Sequence, residues 1–157
     1  MSVPSRRRLG LKKELLLALM PTATILLVLA FVEALTTQRL LFASLASSAF
    51  LIYLDPTNRV NSVRTLVLAQ TGAALLGLLT FQVFGPGYWS AGTAMVLAIV
   101  TMVLLDAMHP PAVSTALSFG LRAGDESNLL LFAMAVAVTA VLLLLQRFAV
   151  YVAKRSR

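Results

Sequence analysis

The chain has 157 residues, 59% hydrophobic and only 12% charged, with a mean hydropathy of +0.90, which excludes an ordinary soluble domain and leaves room for one compact membrane bundle over 1–157. Its net charge of +7 sits mostly at the two ends, Arg6, Arg7, Arg8, Lys12 and Lys13 in a basic segment 1–13, and Arg147, Lys154, Arg155 and Arg157 at a basic tail 153–157, so a nucleic-acid partner is excluded for want of a basic stripe. The same distribution predicts an integral protein of the plasma or inner membrane with both termini cytoplasmic.

Leu15 to Leu35 is about 21 residues, long enough to span, with Pro21 near its start and Glu33 near its far end. Ser5 to Leu9 is similar to a twin-arginine signal, but the apolar run that follows is longer than a signal core and has no small-residue cleavage site, so it is read as a retained span. Leu40 to Leu54 is only about 15 residues, a marginal or re-entrant helix. Asp55-Pro56-Thr57-Asn58 is a turn or cap signature, and Val63 to Phe84 is a full span. Gly85-Pro86-Gly87 makes a turn, Tyr88 and Trp89 suit an interface, and Ser90 to Met108 crosses again.

At His109-Pro110-Pro111 the chain breaks beside its only histidine, because two prolines cannot continue a helix yet can begin one. Ala112 to Leu121 is then a half-helix and Leu129 to Val152 the last span. The order long, short, long, twice over, predicts two three-helix pseudo-repeats. Ala46-Ser47-Ser48-Ala49-Phe50 aligns with Val113-Ser114-Thr115-Ala116-Leu117, and three crossings per copy would invert the second relative to the first. The expected architecture is an all-α polytopic bundle of four to six transmembrane segments. Six crossings place Arg59 and Arg64 inside; four reverse that loop; Arg39 lies outside in either case.

Candidate chemistry gathers at the break. An ionisable ring at membrane depth suits proton exchange or an anion contact, the alternative being a helix-end imidazole bonded to a carbonyl or to lipid headgroups. Asp106, one helical turn earlier, is expected to pair with His109, either neutralising both or forming a proton relay. A helix that begins inside the membrane leaves free N–H groups, and with its dipole makes an anion site to which Ser114, Thr115 and Ser118, with Ser44, Ser47 and Ser48 of the other short segment, add hydroxyls. Close helix packing is the default role for each serine taken singly, as it is the expected role of Gly72, Gly77 and Gly92. Arg64 opens the third segment, with Gln70 deeper in, and either clamps an oxyanion or sets topology; Arg59 is assigned to topology. One histidine, no cysteine and scattered carboxylates assemble neither a metal cluster nor a catalytic triad, so no cofactor, metal or enzymatic activity is expected.

His109-Pro110-Pro111-Ala112-Val113-Ser114-Thr115-Ala116-Leu117 resembles the signature of the HPP family of small integral membrane proteins. Ala43 to Ala49, with the loop to Val63-Arg64-Thr65, is similar to that family's small-residue segment and its following loop. The family usually carries glycine and alanine at the positions of Val113 and Ser114, Gly-His at Ala69-Gln70, and an uncharged residue at Asp106. Nitrite transport across chloroplast and cyanobacterial membranes is associated with it, so the resemblance implies a transporter or channel for a small anion, and carries over His109, Pro110, Pro111, Thr115 and Arg64 as pathway positions. The residues by themselves reach only a small anionic or neutral polar solute. They leave open a non-transporting scaffold that oligomerises through its small residues, and a channel for a urea-like solute. A homo-oligomer in the bilayer is expected.

Overall fold

Helix ends in this chain fall where backbone groups find local partners, and those ends decide where the polar side chains meet. The computed structural model describes residues 15, 19, 22–28, 30, 44–122 and 127–155; the expectations for the basic segment, Pro21, Glu33, Arg39 and the basic tail's side chains lie outside the described residues. Five α-helices and one 3-10 turn follow in order among them, after a helical stretch at 22–28: α1 (Ser44–Leu54), the turn Arg59–Asn61, α2 (Val63–Phe84), α3 (Tyr88–Leu104), α4 (Pro111–Leu121) and α5 (Asn128–Arg155).

After α1, Asp55 accepts from the Thr57 N–H (3.2 Å) and hydroxyl (2.9 Å), and Asn58 accepts from Val60 N (3.1 Å), as the turn signature predicts. Ser62 then caps α2 by accepting from Thr65 N. Asn61, buried in the same corner, donates to Leu51 O (2.9 Å) and Asp55 O (2.8 Å) and so ties the end of α1 to the start of α2. Gly85 and Gly87 supply the positive φ angles of the α2–α3 turn.

α3 ends four residues sooner than the sequence predicts, at Leu104 and not Met108. The cause is a C-terminal motif in which Asp106 takes φ 48°, with Asp106 N donating to Val103 O (3.2 Å) and Ala107 N to Met102 O (2.9 Å). Arg64 adds two further bonds to the freed carbonyls, at Leu105 (2.8 Å) and Asp106 (3.3 Å).

Contacts between helix ends fix the direction of each helix. Arg64 joins the start of α2 to the end of α3, and Gln146 of α5 donates to Pro56 O (3.4 Å), so these meet at one end, which also holds the 55–62 loop. Gly87 N reaches Gly120 O (3.4 Å) and Arg122 bonds Asn128, gathering the other ends of α2, α3, α4 and α5 at the opposite end. α1 runs toward the loop end and α4 away from it, and the two short helices are antiparallel.

Packing relies on small residues. A Cβ on Gly120 would lie 2.6 Å from Ala91 Cα, and one on Gly77 2.5 Å from Phe119 Cβ and 2.9 Å from Ala116 O, so α4 is pressed against both α2 and α3. Gly72 and Gly92 have nothing within 4 Å at that position, which corrects the expectation that they mark close contacts inside the protein. α2 and the Asn128–Tyr151 part of α5 are long and apolar enough to cross a bilayer, yet each is less than half buried. Their exposed Val83, Leu129 and Leu144, with Leu104 of α3, form an apolar surface suited to lipid.

Candidate functional site

His109 is fully buried although it lies between helices, in the stretch that leads from the α3 end back into the bundle. Its Nδ1 faces the Val60 carbonyl at 2.9 Å and its Nε2 faces Ser48 Oγ of α1 at 2.9 Å. A carbonyl only accepts, so Nδ1 carries the hydrogen in the neutral ring, Nε2 is the acceptor, and Ser48 donates to it.

That one assignment orients a longer chain of bonds. Gln70 of α2 donates from Nε2 to Ser48 Oγ (3.0 Å), Thr115 of α4 donates to Gln70 Oε1 (2.7 Å), and Ser44 Oγ lies 2.7 Å from Thr115 Oγ1. With its hydrogen on Gln70, Thr115 accepts from Ser44. Ser44, Ser48, Gln70, His109 and Thr115 are all buried. The chain therefore links four elements and runs from the loop end toward the middle of the bundle, since Ser44 stands ten residues from Leu54 on α1, a rise of about 15 Å.

At its inner end lies a cavity of about 10 Å³ bordered by Ser44, Gln70 and Thr115 together with Leu45, Ala135, Val138 and Thr139. This is near the roughly 10–15 Å³ needed for one water. Thr139, which donates to Ala135 O (2.8 Å), brings a hydroxyl from α5 to the same place. Neither it nor Asn61 was among the sequence candidates; only their being polar within an apolar run or beside a turn could have singled them out.

Other candidates fall elsewhere. Ser47 and Ser114, paired by the repeat alignment, are both exposed, Ser47 donating to Ser44 O of its own helix (2.9 Å). Pro110 caps α4 and the buried Pro111 opens it. The expectation of free amide hydrogens at this start is not met: the prolines have none, and Ala112 N and Val113 N already donate to His109 O (2.9 Å) and Pro110 O (3.1 Å). Nor does Asp106 pair with His109. Its left-handed backbone removes the helical one-turn relation, and its exposed carboxylate bonds Arg59 instead. Arg64 is exposed and spends its guanidinium on the Leu105 and Asp106 carbonyls just past the end of α3.

Near the opposite end, buried Arg122 lies over the Phe81 ring, 4.0 Å from its centroid, and bonds Asn128. Buried Ser90 donates to Thr80 Oγ1 (3.3 Å). The sequence offered nothing to separate Arg122 from an ordinary loop cation.

A family model described as HPP, transmembrane region, matches residues 7–157. The chain belongs to the HPP transmembrane family. No curated protein and no solved structure matches it. The HPP assignment makes this an integral membrane protein in contact with lipid, and its eponymous triplet supplies the ring that begins the buried chain and the prolines that start α4.

Proposed function

We propose that this HPP protein is a transporter or channel for a small solute, with a small anion such as nitrite as its first candidate substrate, and with a pathway between the two short helices and the His-Pro-Pro corner. The observation that carries this reading is the buried chain from Val60 O through His109, Ser48, Gln70 and Thr115 to Ser44, ending in a small cavity where polar side chains meet apolar ones. Polar groups at membrane depth are costly and tend to mark routes for solutes or protons, and here five side chains are spent on one line. In this state the cavity admits one water at most, so passage requires α1 and α4 to part at the Ser44–Thr115 bond.

The proposal includes two inverted halves. It is supported by the antiparallel α1 and α4 and by the alignment partners Ser48 and Thr115, which both bond the Gln70 amide. It includes a cytoplasmic loop end, favoured by exposed Arg59, Arg64 and Arg147 there. No covalent chemistry is part of the reading.

Uptake of labelled nitrite into proteoliposomes is the direct test: flux above that of protein-free vesicles is expected, and equal flux removes the anion claim. Labelled urea in the same vesicles tests the neutral-solute alternative. A second reading, a non-transporting membrane scaffold acting as a homo-oligomer, is favoured by the smallness of the cavity and the tight glycine contacts of α4. Flux of neither solute would leave that reading standing.

A further inference from the structure

We infer that protonation of His109 reverses the direction of the whole buried hydrogen-bond chain, changing the inner cavity from a site that accepts hydrogen bonds to one that donates them, so that an anion and a proton are taken up together. The inference rests on the transport reading above and names its coupling ion.

With the ring neutral, each hydroxyl and the ring N–H along the line is committed, and the Gln70 amide gives one of its two hydrogens to Ser48. Ser44 gives its hydrogen to Thr115, Thr115 to Gln70 Oε1, Gln70 Nε2 to Ser48, Ser48 to Nε2 of His109, and Nδ1–H to Val60 O. Thr139 gives its hydrogen to Ala135 O. The hydroxyls bordering the cavity therefore turn lone pairs toward it, which suits water or another donor and repels an anion.

One proton added at Nε2 changes this. The ring is held at Val60 O through Nδ1, and Ser48 Oγ is the partner that faces Nε2 among the described residues, so Nε2–H donates to Ser48 Oγ. Ser48 turns its own hydrogen to Gln70, whose amide flips to present Oε1. Gln70 Nε2 then donates to Thr115, Thr115 to Ser44, and Ser44 is left with an O–H aimed at the cavity. No covalent bond besides the new N–H forms or breaks; rotation of the Ser48, Thr115 and Ser44 hydroxyls and one flip of the Gln70 amide suffice. The positive charge on the ring and the negative charge on the solute offset each other in a low-dielectric interior.

Among the described residues, no charged side chain bonds to a member of the line. α1 offers the ring Ser48 and the 3-10 turn offers a backbone carbonyl, while Gln70 is what α2 brings next to Ser48. The charged groups nearest in sequence are engaged at the surface, Arg59 with Asp106 and Arg64 with the Leu105 and Asp106 carbonyls.

His109 is the single histidine of the chain, so labelling histidine with 15N reports on this ring alone. In the full-length protein in lipid, at a pH where the free ring is neutral, nitrite is expected to convert the Nδ1–H tautomer to imidazolium in the wild type. In Gln70→Met, whose side chain cannot pass the reversal on, nitrite is expected to leave the ring neutral, and nitrite binding is expected to lose its rise toward acid pH. An NMR spectrum of Gln70→Met without ligand, with Nδ1 still protonated, establishes that the variant is folded around His109.

Nitrite uptake that leaves the wild-type ring neutral overturns the inference and spares the transport reading. Charging of the ring in Gln70→Met to the same extent also overturns it, since Ser48 would then absorb the proton alone through its own helix's carbonyls. Absence of nitrite binding at every pH overturns the inference, and the flux measurement decides the reading separately.

Discussion

Ser48 and Thr115 hold opposite ends of one amide: the Gln70 Nε2 donates to the first at 3.0 Å and Gln70 Oε1 accepts from the second at 2.7 Å. A side chain from a long helix thus bridges two short antiparallel ones, and substitutions at position 70 should report on both at once.

Gln70→Met removes a donor and an acceptor while keeping length. Thr115 loses its buried acceptor and Ser48 a donor, so a loss of about 1–3 kcal/mol is expected. Denaturant unfolding in detergent measures it. Gln70→His, which restores a donor and an acceptor on one ring, is expected to lose less; an equal loss in both variants would show that the bridge contributes nothing beyond volume.

His109→Ala strips Val60 O and Ser48 of their shared partner in a fully buried place. Nitrite flux should fall to the level of empty vesicles at every pH. Wild-type flux in this variant would exclude the ring from the pathway, and size-exclusion chromatography in detergent separates the expected loss of flux from misfolding.

Gly120→Ala and Gly72→Ala make an opposed pair. The first drives a methyl group against Ala91 backbone atoms that cannot move without parting α3 from α4, with an expected loss of about 1–3 kcal/mol. The second fills open space in the interior of α2 and should gain about 0.5–1 kcal/mol from reduced chain freedom. Unfolding midpoints that move in the same direction would contradict the packing described.

Asn58→Cys and Gly87→Cys sit at opposite ends of α2 in a chain with no cysteine of its own. A membrane-impermeant maleimide should label them from opposite faces in oriented vesicles. Labelling of both from one face would mean that α2 does not cross.

Much of the helical order was readable because apolar runs and their breaks are strong signals. Val63–Phe84 was predicted to the residue, and α4 and α5 started within one residue of expectation. The end of α3 was missed because Asp106 adopts a left-handed angle that apolar periodicity cannot register. Within the site, the residue types at 48, 70, 109 and 115 drew attention, but their mutual order did not: Ser47 and Ser114 look no different in sequence, and only helix rotation turns one hydroxyl of each pair inward. The Asp106–His109 expectation failed for a related reason, since three residues make one turn only if the helix continues.

The double proline has a kinetic corollary. A helix start keeps the positive end of its dipole even where the prolines carry no amide hydrogen and the next two amides are already bonded to His109 O and Pro110 O. An anion at this corner would feel the pull of that dipole only within about the first turn and without a directional grip on the backbone, so residence there should be brief and saturation should require high concentrations. Under the transport reading, an anion should leave this corner faster than it would leave a nest of open amides.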